Sequence, residues 1–300
     1  MLKTRILTAV ILLAVLLPVI FCTACTFNLF NALVVGILTL AAWEWARLLK
    51  LTPKKCISYA VLVGVMLCLL ALWQWQLNGT LQSASQALFG DGLFWPMLYW
   101  IAAFFWVAVV PFILMRQPTL AVGLWRVLLL AAGLVIFAVC WDALIAAHRV
   151  GPTFLLSVLL VVWLADSGAY FAGKRFGRHK LAPLISPGKT WEGVLGGWLL
   201  VLAVTAVVAG TIRLFGVSPL AVEVDSVSGW LGMLAVLTLL VGVGVVGDLF
   251  ESLMKRQAGF KDSSMLLPGH GGVLDRLDAL LPMLTLAVGL YGSLLRFTPI

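Results

Sequence analysis

The residues best suited to chemistry in this 300-residue chain lie between Gly247 and Asp278, in GDLFESLMKRQAGFKDSSMLLPGHGGVLDRLD. Five of the 12 acidic residues fall here (Asp248, Glu251, Asp262, Asp275, Asp278), beside Lys255, Arg256, Lys261, Arg276 and His270. Carboxylates next to Lys, Arg and a glycine-rich turn suit a metal–phosphate site, with oxygen ligands for the cation and N–H groups for the anion. If residues 248–257 are helical, Asp248, Ser252 and Lys255 share a face. Asp275 and Asp278, three apart, are expected on one face at the start of another helix. Between them Pro268–Gly272 must turn, because three Gly and one Pro in five residues oppose helix. The turn would fold the two carboxylate-bearing ends together. Asp248, Asp275 and Asp278 are then the expected Mg²⁺ ligands, with phosphate oxygens and water completing the shell. Lys255, Arg256, Lys261 and Arg276 would neutralise phosphate. His270 would either contact phosphate or pin the turn. A salt-bridged loop without a ligand is the alternative.

A second polar segment reads SPGKTWEG at 186–193. Its Gly-Lys-Thr invites a P-loop reading, but the required earlier glycine is Pro183 and no strand precedes it. Ser186, Lys189 and Thr190 can still present hydroxyls, an ammonium and backbone N–H groups to a phosphate ahead of a helix N-terminus. The alternative is a basic loop at lipid headgroups. Asp166, near the inner end of an apolar run, is costly in a bilayer and points to function, unless it reaches interfacial water. Asp166 and Glu192 are candidates for orienting this loop or a second cation.

The elements that must position these groups are membrane spans. The chain is 63% hydrophobic and 11% charged, against about 25% charged in soluble domains. Apolar runs at 6–24, 28–46, 57–76, 94–114, 122–143, 153–173, 193–212, 230–247 and 279–297 each approach the ~20 residues that cross a bilayer. The expected fold is all-α: a polytopic transmembrane helix bundle of about nine spans, forming a single integral-membrane catalytic domain over 1–300. Spans within 1–150 would form its N-terminal part, and 151–300 would carry the catalytic loops 174–192 and 248–278. With the N-terminus in the cytoplasm and the C-terminus outside, only Arg149, Arg213 and Arg296 of the 20 Lys and Arg fall outside. That asymmetry obeys the positive-inside rule and puts both polar loops on the nucleotide side. The net charge of +8 then reflects basic loops facing anionic lipid. No nucleic-acid-binding motif accompanies it.

Other patterns are read as structural. Cys22 and Cys25 form a CxxC without a second pair. Gly242–Gly247 spells GxGxxG inside a span, where close helix packing through small residues explains it. The basic, apolar start imitates a signal peptide, but no A-x-A site follows and a second apolar run begins at once. Glu44, in Trp43-Glu44-Trp45, is placed at the inner end of a hairpin of spans, with both aromatics at the interface. A transporter would place ionisable groups at mid-membrane depth, whereas these charges gather at the inner ends.

The order Ser252, Met254-Lys255-Arg256, Lys261-Asp262, Pro268, His270-Gly271-Gly272-Val273 and Asp275-Arg276-Leu277-Asp278 resembles the signature of the phosphatidate cytidylyltransferases, with every fixed position met over 27 residues. The resemblance extends to residues 165–193 and to AAWEW at 41–45. It implies the reaction of CTP with phosphatidate to give CDP-diacylglycerol and pyrophosphate, for phospholipid biosynthesis. It also implies dependence on Mg²⁺, a second and monovalent cation, a homodimer, membrane lipids as surroundings, and a bacterial cytoplasmic (inner) membrane location. On this reading Asp248, Asp275, Asp278, Lys255 and Arg276 are catalytic. Ser186, Lys189, Thr190, Ser252, Arg256, Lys261, Asp262, His270, Asp166 and Glu192 line the substrates. A related CTP-dependent enzyme with another lipid acceptor would share the signature.

Overall fold

The structure is a computed structural model and describes residues 10, 14, 16–21, 26–77, 94–212 and 220–297. Its helices are α1 (Thr26–Leu48), α2 (Pro53–Leu77), α3 (Phe94–Arg116), α4 (Gly123–Val150), α5 (Pro152–Phe176), α6 (Trp191–Ile212), α7 (Leu220–Ala258) and α8 (Leu280–Phe297). Seven are long and apolar enough to cross a membrane, and the apolar part of α8, Leu280–Gly292, is shorter. These eight match the second to ninth expected spans. The expected first span, 6–24, lies largely outside the described residues. Exposed Leu62, Leu69, Trp100, Phe104, Leu195 and Leu199 on α2, α3 and α6 suit lipid rather than water.

Local breaks have local causes. α3 widens to a π-turn at Phe105–Val109 just before Pro111, which has no N–H to continue the ladder. α4 stops at Gly151, and α5 starts with Pro152 in its first turn, where a missing N–H costs nothing. α7 is interrupted at Gly229 (φ 71°). It then runs unbroken past the expected end of its span, through Asp248 to Ala258. The all-α expectation misses one detail: Lys180–Ala182 (β1) and Ser186–Thr190 (β2) form a small antiparallel hairpin between α5 and α6.

α5 and α6 lie in backbone contact. A Cβ at Gly168 would stand 2.8 Å from Gly197 Cα and 2.9 Å from Gly196 O. The GxGxxG of α7 is likewise a packing surface: a Cβ at Gly244 would meet Met283 Sδ at 2.6 Å, and one at Gly247 would meet Pro282 Cγ at 2.7 Å. Small residues let these helices approach as membrane packing requires. One core joins both halves of the chain, with Trp45, Trp106 and Phe250 interleaving aromatic rings. Inside it the Asp142 carboxylate, 1% exposed, accepts bonds from Gln74 Nε2 (2.6 Å) and Tyr99 OH (3.0 Å), and Arg149 donates to Gln74 Oε1 (3.2 Å). A buried charge is tolerated only with partners of this kind.

Candidate active site

The expected helical extension of residues 248–257 is present, and it puts Ser252 Oγ 3.4 Å from Asp248 Oδ1. Asp275 and Asp278 are not on a common helical face as expected. Asp275 sits in a 3₁₀ turn, Leu274–Arg276, and α8 starts only at Leu280. The two carboxylates take different hydrogen-bond partners, although both lie near Lys255 and Glu251.

Asp275 faces the loop. Its Oδ1 accepts Lys255 Nζ at 2.7 Å, and its Oδ2 accepts the N–H of Gly272 (2.7 Å) and Ser263 (3.0 Å). Burial alone would raise its pKa, but Lys255 and the Gly272 N–H outweigh it and hold the carboxyl below the usual range. Lys255 also bonds Glu251 Oε2 at 2.5 Å, one helical turn back. The ammonium expected on phosphate is thus enclosed between two carboxylates of its own chain.

A residue from the far end of the sequence completes this clamp. Glu44 on α1 is fully buried. It accepts Ser263 Oγ (2.9 Å), Ser264 Oγ (2.5 Å) and the N–H groups of Val273 (3.0 Å) and Leu274 (2.6 Å). Arg47, one turn on, donates to Ser263 O at 2.6 Å and lies 4.3 Å from the Phe260 ring. Glu44 and Trp45 are buried inside the protein, and Glu44 meets the 263–274 loop near the end of α1. The missed signal was a charge within an apolar helix, which needs partners. The turn at Pro268–Gly272 is confirmed: His270 N–H donates to Leu267 O (2.9 Å), and Gly269 and Gly271 have φ of 78° and 86°, a region that favours glycine.

Asp278 has fewer donors than Asp275. Its Oδ1 accepts the Ala279 N–H at 2.8 Å. Burial, then the Asp248 carboxylate and more weakly Asp166, push it well above the usual carboxylate range. Asp166 and Asp248 line a cavity of about 520 Å³ with Ser186, Gly188, Lys189 and Thr190 on one side. Apolar residues of four helices, among them Ala169, Val194, Val245 and Met283, line the other. Lys189 forms an ion pair with Asp248, so the two polar loops converge as charge complements. The rest of the 186–193 segment is structural as well as cavity-lining. Thr190 Oγ1 accepts the Gly193 N–H (3.2 Å) and caps α6. Glu192 holds the 177–180 loop through the N–H groups of Arg178 (3.1 Å) and His179 (3.2 Å) and through His179 Nδ1 (2.6 Å).

A second cavity, about 750 Å³, is formed wholly by residues 261–276, including Lys261, Asp262, His270 and Arg276. Arg276 donates to His270 O through Nε (3.2 Å) and Nη2 (2.5 Å), which fixes its direction. Arg256 lines neither cavity; its Nε donates to Ile185 O at 3.3 Å and ties the hairpin to α7.

No three His, Cys, Asp or Glu side chains among the described residues are grouped as a metal site. The charge distribution nevertheless fits a cation at one end of the loop. Asp166, Asp248 and Asp278 repel one another beside the first cavity, with Lys189 on Asp248. Asp275 already accepts three hydrogen bonds from the chain, so a cation there would share Oδ1 with Lys255.

A family model described as "Cytidylyltransferase family" matches residues 3–294. A phosphatidate cytidylyltransferase of Pseudomonas aeruginosa is 38% identical over 299 residues, covering 98% of this chain and 97% of that protein. One from Haemophilus influenzae is 35% identical over 93% of this chain and 95% of its own length. Another from Staphylococcus haemolyticus is 31% identical over 95% and 96%. Matched from end to end, with the signature residues Lys261, Asp262, His270 and Arg276 around one cavity and Asp248 and Lys189 in another, the chain belongs to the cytidylyltransferase family as an integral-membrane enzyme.

Proposed function

We propose that this enzyme is a CTP:phosphatidate cytidylyltransferase of the bacterial cytoplasmic membrane, making CDP-diacylglycerol and pyrophosphate on the cytoplasmic side. The observation that carries the reading is the first cavity. Its floor has the Asp248–Lys189 pair and Asp166, and its walls are the apolar ends of membrane helices. That combination suits a phosphate carried on a lipid: the anion meets charge, and the acyl chains stay at membrane depth. The end-to-end likeness to phosphatidate cytidylyltransferases supports the choice of CTP and phosphatidate.

The nucleophile is an anionic phosphate oxygen, so the protein need not remove a proton. The work is alignment and charge neutralisation. Lys189 holds the lipid phosphate near Asp248, and the Ser186 hydroxyl adds a donor. The Glu44 clamp and the Asp275–Lys255–Glu251 ion pairs hold the loop so that Asp278 and Arg276 keep their places. Mg²⁺, held by Asp248 and Asp278, would offset the charge of the phosphates.

The test is turnover of labelled CTP with phosphatidate by the purified protein, with and without Mg²⁺. Labelled CDP-diacylglycerol and pyrophosphate are expected only with both substrates and the cation. A phosphorylated lipid with release of CDP, or the same rate in excess chelator, would overturn the assignment.

A further inference from the structure

The two cavities differ in depth and in chemistry. The first is walled by four membrane helices. The second is walled only by the loop that follows α7, where Lys261, Asp262 and Arg276 are exposed. It carries two cations, Lys261 and an Arg276 held by His270 O, against the one carboxylate of Asp262, where the first has Lys174 and Lys189 against Asp166 and Asp248; His270 Nδ1 is buried with no hydrogen-bond partner. An unpartnered buried polar atom is uncommon and calls for a ligand or water. The volume, about 750 Å³, lies within the range of small-molecule sites. The cavities adjoin through one stretch of chain: Arg276 lines the second, and Ala279, three residues on, lines the first.

Resting on the reading above, we propose that the cavities divide the substrates. The loop cavity of Lys261, His270 and Arg276 holds the β- and γ-phosphates of the nucleotide, and after reaction the pyrophosphate. The membrane-level cavity of Lys189 and Asp248 holds the lipid phosphate. The α-phosphorus then lies over the 276–279 turn. There a lipid phosphate oxygen forms its bond to the α-phosphorus. The bond from that phosphorus to the α,β-bridging oxygen breaks, and the electron pair leaves on pyrophosphate. A polyphosphate belongs in the loop cavity because it needs several cations and no apolar wall. A lipid phosphate belongs in the other because its acyl chains must stay in the bilayer.

The experiment uses the full-length protein in detergent with phosphatidate micelles and measures KM for each substrate and inhibition by added pyrophosphate. Lys261→Ala is expected to raise both KM for CTP and the pyrophosphate inhibition constant by about tenfold, the loss of one charge-assisted contact. KM for phosphatidate should stay unchanged, and Lys261→Arg should restore the values. Lys189→Ala is expected to give the reverse split. His270→Ala, read by the same pyrophosphate constant, provides a second variant should Lys261→Ala fold poorly. If both loop variants leave pyrophosphate inhibition unchanged, or raise KM for phosphatidate instead, the division is overturned while the cytidylyltransferase reading stands. A wild type that makes no CDP-diacylglycerol overturns that reading, and the division with it.

Discussion

Two sets of carboxylates lie on either side of the same turn, and they have opposite surroundings. Glu44 and Asp275 are saturated: four donors converge on the first and three on the second. Asp166, Asp248 and Asp278 lie close to one another beside a cavity lined by Lys174 and Lys189, with Lys189 paired to Asp248. Saturated carboxylates hold a loop in place. Crowded ones store repulsion that a cation or a cationic ligand edge relieves. Residue type and signature position do not distinguish the sets, since Asp275 and Asp278 are three residues apart and belong to different ones.

The sharpest way to break this comparison is to remove one member of each set. Glu44→Ala leaves two backbone N–H groups and two hydroxyls buried without their acceptor, at about 1–3 kcal/mol each. Melting temperature in detergent and CDP-diacylglycerol synthesis should fall together, and a normal melting temperature would remove Glu44 from the clamp. Asp248→Asn should instead cost about 10²–10³ in turnover, the scale of losing one electrostatic contact in a transition state. Its melting curve should be unchanged or higher, because a repelling charge is gone; a matching loss of stability would move Asp248 into the saturated set.

Asp275→Asn separates the two roles at the disputed position. As a loop pin it loses about 1–3 kcal/mol of stability, read as a lower melting temperature, while Mg²⁺ affinity changes little. Unchanged melting with weakened Mg²⁺ dependence would make it a ligand that releases Lys255. The smallest effect is expected from Asp142→Asn in the membrane core, where two donors, Gln74 and Tyr99, face the carboxylate. A stability loss of about 1 kcal/mol with normal turnover at low temperature should follow. Lost turnover at full stability would tie this distant network to the site.

Much of the architecture was legible from hydropathy. A bilayer allows few spanning structures, so apolar length alone locates α1 to α8. The conjunction of the 166–193 and 248–278 segments also followed, because alternating spans put both loops on one side. The signature named the polar residues that matter, but not their partners. Lys255 reads as a phosphate ligand until Glu251 and Asp275 are seen to enclose it. Glu192 reads as orienting a loop, a second cation or a substrate, and only the structure puts it on His179 and its neighbours. Glu44 and Asp142 were each the one carboxylate of an apolar helix, a signal without an address.

Composition, span lengths and the 252–278 signature by themselves determined a membrane helix bundle of this family. These are properties of local pattern: a period, a length and an order of residue types. Only the tertiary structure decided which carboxylates are saturated and which stay exposed to a ligand. For Glu44 that depends on donors more than 200 residues away in the chain, such as Ser263 and Leu274, and for Asp275 on donors the loop's own folding brings in. A hydrogen bond forms between atoms that meet in space, and the order of residues does not state which ones meet.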